Sequence, residues 1–200
     1  MRRADVKLQV AKSLFCAFAR EGRGLYALAR EMPAHVCLSE RHRKILFGSE
    51  EADMLSISGP RGKRKQIPVM ENDCERTLVK LSFSEAMQLG IKGLKLPGES
   101  WRSSATCVLY GPEGKVSLDS GVQAHLRHLH ISPEHAKLYE LTEEDQVWAV
   151  IKSDARSLAL GNIKVCLGNL RSLELHLDTD EASAAGLIDG QTVAIFKELN

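Results

Sequence analysis

The chain has almost no net charge: 27 Lys and Arg against 26 Asp and Glu leave +1 over 200 residues. Such a chain presents no bulk field to nucleic acid or anionic lipid, and neither is expected as a partner. It has no run of the ~18–20 apolar residues that a spanning helix needs, so no membrane span is expected. Its five cysteines include no Cys-x-x-Cys pair. An odd, scattered set argues against a disulfide scaffold and for a reducing compartment. The start, Met1-Arg2-Arg3, has the charge of a signal-peptide n-region, but Asp5, Lys7 and Lys12 interrupt the apolar core that must follow. What remains is a cytosolic protein, or one inside a body that the cytosol fills.

What is present begins with Val6, Val10, Leu14 and Phe18, four residues apart, which predict an amphipathic helix over residues 1–22. Short strand-like runs then dominate: 35–38, 54–58, 78–83, 106–110, 128–131, 146–152, 173–177 and 192–196. Brief helices sit between them. Ser39 caps one that stops at Gly48, and Ser132 precedes one with Pro133 at its first position. Ser84 opens another closed by Gly90, and Asp178 or Thr179 opens one closed by Gly186. The run Arg61-Gly62-Lys63-Arg64-Lys65 reads as a solvated turn, with a phosphate-binding loop as its other reading. Many short strands with brief helices make a mainly β, α+β chain of barrels or sandwiches.

The chain also repeats itself. His35-Val-Cys-Leu-Ser-Glu-Arg-His matches His128-Leu-His-Ile-Ser-Pro-Glu-His, an offset of 93 from 35 to 128. Val79–Phe83 reads against Leu173–Leu177, an offset of 94 from 79 to 173, which puts Ser82 opposite His176. Two homologous halves are expected, with a boundary at the turn residues 96–99: 23–97 and 98–200.

Side chains alternate faces along a strand, so His128 and His130 present two imidazoles to one point. His176, between Leu175 and Leu177 on another strand, supplies a third. Three nitrogens with an open fourth position make a zinc site. Two surface histidines and a satisfied polar residue are the bland alternative. The repeat puts His35 and Cys37 at the equivalent pair, and a thiolate also ligates zinc.

Ala34-His-Val-Cys-Leu-Ser39 with Leu46-Phe-Gly48, then Val79-Lys-Leu-Ser-Phe-Ser-Glu-Ala86, Gly111-Pro-Glu-Gly114, Arg127-His-Leu-His-Ile-Ser-Pro133 and Leu175-His-Leu-Asp-Thr-Asp-Glu-Ala182, follow one another as in PduL-type phosphate propanoyltransferases. The chain resembles that family over most of its length. The resemblance implies two tandem pseudo-symmetric β-barrels capped by short helices. It implies an enzyme that interconverts acyl-CoA plus phosphate with acyl phosphate plus CoA, using zinc ions, one or two here. It makes His128, His130 and His176 one metal site and His35 and Cys37 part of a second. Arg102 becomes the catalytic, phosphate-binding arginine. In the family, a glycine-rich stretch with a carboxylate ligand follows that arginine. Here Ser103–Tyr110 contains no acidic residue. The other reading is therefore a degenerate zinc-binding paralogue acting in binding or assembly. By the same resemblance, helix 1–22 reads as an encapsulation signal for a bacterial microcompartment, and packing on its own barrel explains its apolar stripe equally well. Self-association into a homo-oligomer is left open.

Overall fold

The computed structural model describes residues 25–49, 53–71, 74–97, 105–154, 156–168 and 173–197. The expected helix over 1–22 and the expected phosphate ligand Arg102 lie outside them. Among the described residues, twelve strands and four short helices follow in order. The first eight elements are β1 (Leu25–Met32), β2 (His35–Cys37), α1 (Glu40–Phe47), β3 (Met54–Ser58), β4 (Arg64–Glu71), β5 (Leu78–Leu81), α2 (Phe83–Leu89) and β6 (Ala105–Tyr110). Then come β7 (Lys115–Ala124), β8 (His128–Ile131), α3 (Pro133–Leu138), β9 (Gln146–Ile151), β10 (Leu158–Leu167), β11 (Glu174–Asp178), α4 (Thr179–Ala185) and β12 (Gln191–Lys197).

The strands close two six-stranded barrels, ordered β2-β4-β3-β6-β7-β5 and β8-β10-β9-β12-β1-β11. The expected pair of barrels with short helices is therefore the fold. The ordering shows how the repeats share strands. Each repeat runs strand, strand, helix, three strands, helix, strand, beginning at β1 and at β7. Yet β1 pairs with β12, and β7 pairs with β5 and β6. Each barrel is thus completed by the opening strand of the other repeat. The boundary expected near residue 97 corresponds to no break between barrels, because β6 and β7 follow it and still close the first barrel.

Alternation builds each core. In β8, Leu129 and Ile131 are fully buried while His128 and His130 are half-buried on the other face. Leu175 and Leu177 of β11 and Ile163 and Val165 of β10 fill the same barrel. Each such side chain stabilises the fold by about 1.5–3 kcal/mol. The helices are held by their caps. The Ser39 hydroxyl accepts from the His42 amide, the Ser132 hydroxyl accepts from the His135 amide, and Ser82 forms a reciprocal capping box with Glu85. Ser82, not Ser84, therefore opens α2. Asp178 does the same for α4, where its carboxylate accepts from the Glu181 amide at 2.8 Å. The basic run is a turn only at its start. Arg64 and Lys65 belong to β4, with Arg64 over the Tyr110 ring and Lys65 paired with the Glu85 carboxylate.

Candidate metal centre

Strand register decides which side chains can meet. β8 and β11 run antiparallel, with His176 directly opposite His128 and Glu174 directly opposite His130. Directly opposed residues share a face, with Cβ atoms about 4.5–5.5 Å apart. The three imidazoles accordingly form a cluster, with ring centroids 4.6, 4.7 and 5.0 Å apart and near-perpendicular planes. One nitrogen from each lies within 4.8 Å of the others. The Nε2 atoms of His128 and His130 approach to 3.0 Å. Two nitrogens on one tetrahedral zinc stand about 3.3 Å apart, given bonds of about 2.0–2.1 Å. The donor set and spacing fit a zinc ion, and among the described residues no other group of three or more His, Cys, Asp or Glu does so.

Neighbouring charges complete the surroundings. The Glu174 carboxylate lies 3.2 Å from His176 Nε2 and 3.7 Å from Arg30 Nε. Arg30 also donates to Asp189 at 3.1 Å. On the other side β10 runs parallel to β8, with Lys164 in register with His128 and Cys166 with His130.

The first-half pair has a different setting. His35 is buried and donates from Nδ1 to the Pro33 carbonyl at 3.1 Å, and His125 donates from Nε2 to the same oxygen at 3.2 Å. Their rings meet edge-on at 4.8 Å. A carbonyl that fixes one ring nitrogen is the usual orienting partner of a metal-bound histidine. But Lys80, not a third histidine, lies opposite His35. Structural equivalence pairs Lys80 with His176, from 80 to 176 an offset of 96, and Ser82 with Asp178. The expected match of Ser82 with His176 was two residues out, because a two-residue slip along a strand preserves the alternation.

Cys37 is joined to Cys74 in a disulfide, their Cα atoms 6.1 Å apart. The expectation of no disulfide fails for this pair. Counting cysteines does not reveal that the chain returns beside β2, where the Cys74 amide donates to the Leu38 carbonyl at 3.1 Å. Cys107 and Cys166 are in no disulfide. Burial pushes the Cys107 thiol up to about 12, so it is inert. Cys74 also lines a cleft of about 680 Å³ with Ser39, His42, Arg76, Thr77 and Gly121. There His42 Nδ1 meets the Thr77 hydroxyl at 2.9 Å.

Comparison with known proteins now decides the family. A family model described as phosphate propanoyltransferase matches residues 32–188. The phosphate propanoyltransferase of Shewanella putrefaciens is 33% identical over 149 residues, 74% of this chain and 69% of that protein. That of Citrobacter freundii is 32% identical over 167 residues, 82% and 79% of the two chains. That of Thermotoga maritima is 27% identical over 199 residues, 88% and 95% of the two. The chain belongs to the phosphate propanoyltransferase family.

Within this family member, the structure brings His128, His130 and His176 together. It places His35 on the other barrel's β2 with Cys37 in a disulfide. Sequence reasoning did not name Glu174, Lys164 or Cys166, which the strand register sets beside the histidines. Glu174 had a readable signal, because it stands two residues before His176 and so shares its face. Lys164 and Cys166 had none, since the pairing of β10 with β8 is not written in either strand.

Proposed function

We propose that this chain is a phosphate acyltransferase that interconverts acyl-CoA plus phosphate with acyl phosphate plus CoA, and that it uses zinc held by His128, His130 and His176. The convergence of those three imidazoles within 4.8 Å carries the reading. Family membership supplies the reaction class.

In the reaction a phosphate oxygen attacks the thioester carbonyl. The C–S bond then breaks, and CoA leaves as thiolate and takes up a proton. When bound, a zinc ion supplies Lewis-acid stabilisation of the charge that develops on oxygen. The protein must also gather anions beside that centre. Lys164, in register with His128 on the neighbouring strand, is a cation within reach of that face. Arg102 is assigned to phosphate by the family resemblance, and its planar fork suits bidentate contact. A second metal at His35 and Cys37 requires the disulfide to be reduced, because the ligand is the thiolate. Residues 1–22 are proposed as an encapsulation signal for a microcompartment, and the working compartment is the cytoplasm or such a lumen.

A second reading is favoured by Lys80 and the Cys37–Cys74 bond: a paralogue that keeps one zinc and acts in binding or assembly. One assay separates the two. Acyl phosphate and CoA are mixed with purified protein and free thiol is followed. The enzyme consumes thiol and loses that activity with a chelator. A zinc-containing chain that leaves thiol untouched across acetyl and propanoyl phosphate is the paralogue instead.

A further inference from the structure

We propose that the apolar stripe of residues 1–22 docks on the outer face of the second barrel, where β1, β12, β9 and β10 lie side by side. None of the proposed zinc ligands stands on these strands, so the docking is independent of the zinc reading. The inward side of the strands is core: Leu25, Ala27, Val193, Ile195, Val147 and Ala149 are buried. Alternation sends their chain neighbours outward. An outward face that meets water is expected to be polar. This face is apolar instead. Tyr26, Ala194, Val150 and Ala159 are successive register partners and form one row across all four strands. Beside that row Phe196 pairs with Trp148. Three atoms of the Trp148 ring would stand 2.7–2.9 Å from a Cβ at Gly161, so the indole lies flat against the sheet. Tyr26 is 53% exposed, which leaves the row open at the strand that the N-terminal segment enters. A contiguous apolar patch of this kind marks an interaction site.

The repeat supplies a control. The matched face of the first barrel, on β7, β6, β3 and β4, carries the row Ser117, Val108, Ser58 and Arg64, flanked by Lys115 and Gln66. The same scaffold is mostly polar there. The two faces differ in what precedes their first strand. β7 follows β6 after the turn Gly111-Pro-Glu-Gly114, whereas residues 1–24 run into β1. The apolar face is therefore the one beside the chain's own amphipathic segment. Lengths agree as well. As a helix, Val6 to Phe18 spans about 18 Å at 1.5 Å per residue, and four neighbouring strands span about 14 Å. Gly22 and Gly24 flank Arg23 just before Leu25 and permit the reversal that docking needs. A stripe seated on its own barrel has to leave it before it can act as an encapsulation signal, so docking sets the state of the free chain.

Hydrogen exchange of the full chain, read by mass spectrometry, tests the docking. An isolated helix of this length is marginal in water. Docking predicts that residues 6–18 exchange at least about tenfold more slowly in the full chain than in a synthetic peptide of residues 1–22. Val150→Glu puts a charge on the patch, and Leu14→Asp puts one on the stripe. Each should abolish that protection while β8 stays protected. The two variants alter opposite sides of the contact, so one remains informative if the other does not fold. Analytical ultracentrifugation of the unaltered chain separates the other occupants. Unprotected residues 6–18 in a monomer overturn the proposal. Protection that vanishes on dilution, as a dimer dissociates, gives the face to a second copy and overturns it too. So does protection that survives both substitutions.

Discussion

The two barrels begin their sites alike and finish them differently. Each has a histidine at the start of a short strand, β2 or β8, followed by a helix capped by serine. In the second barrel the next residue on that face is His130, and the opposite strand supplies His176. In the first it is Cys37, tied to Cys74, and the opposite strand supplies Lys80. At an effective dielectric of about 20, an ammonium about 5 Å from a dication is disfavoured by roughly 6–7 kcal/mol. A metal at His35 therefore requires Lys80 to turn outward and Cys37 to be reduced. On the proposed reading, this ladder position is where the two halves part.

The largest effect should come from breaking the intact half. His176→Ala is expected to lose zinc and to lower thiol consumption at least a hundredfold, whereas Lys80→Ala should leave the zinc content unchanged. Metal analysis of both proteins beside the activity assay checks the contrast. Equal zinc in all three proteins would remove His176 from the site.

Core packing should treat the halves alike. Leu175→Ala, beneath the histidines, is expected to cost about 2–5 kcal/mol in urea unfolding, since a fully buried leucine leaves a cavity. Leu81→Ala, buried in the first barrel, should cost a similar amount. Bound zinc adds to the first loss but not to the second, because metal binding and folding are coupled.

The disulfide separates the halves again. Reduction of Cys37–Cys74, 37 residues apart, should destabilise the first barrel by about 2–4 kcal/mol. Alkylation mass spectrometry before and after reductant should show two newly accessible thiols. Labelling of both cysteines without reductant would show that the pair is open in solution.

The smallest effect concerns His42, beside the cleft of the first barrel. Burial, and then the Arg41 charge, hold its imidazole below the ordinary histidine value of about 6.5. Its contribution to stability is full above the unfolded value and is lost as pH falls below it. His42→Gln should flatten the stability profile on the acid side of about pH 6.5 and leave it unchanged at pH 8. An unchanged acid limb would show that His42 is not the group responsible.

Much of this was legible in the chain. The alternation of Leu129 and Ile131 with His128 and His130, and the serine caps at Ser39 and Ser132, fixed elements and faces directly. Four strands were missed for separate reasons. β1 turns Ala27 and Ala29 inward, too small to signal a core. β4 opens on two cations and carries Pro68, which discourages a strand reading. β7 interleaves Val116 and Leu118 with Lys115, Ser117 and Asp119 and then reaches Gly121. β10 breaks its alternation at Gly161-Asn162, where a bulge shifts the register and Asn162 takes φ 53°. The barrel partners of β1 and β7 depend on pairings across the whole chain, and no local pattern records them. Lys80 was hidden by a slip of two residues, whereas Glu174, though not named, carried a local signal two residues before His176.

The central claim is that one half binds the metal and the other does not. Its most direct test is the zinc stoichiometry of the full chain, expressed with ample zinc and purified without chelator, beside the double variant Cys37→His/Lys80→His. The account predicts one zinc per chain, rising toward two when the first barrel is given the second barrel's ligands. A zinc-free chain, or one zinc that survives His128→Ala together with His176→Ala, would contradict it.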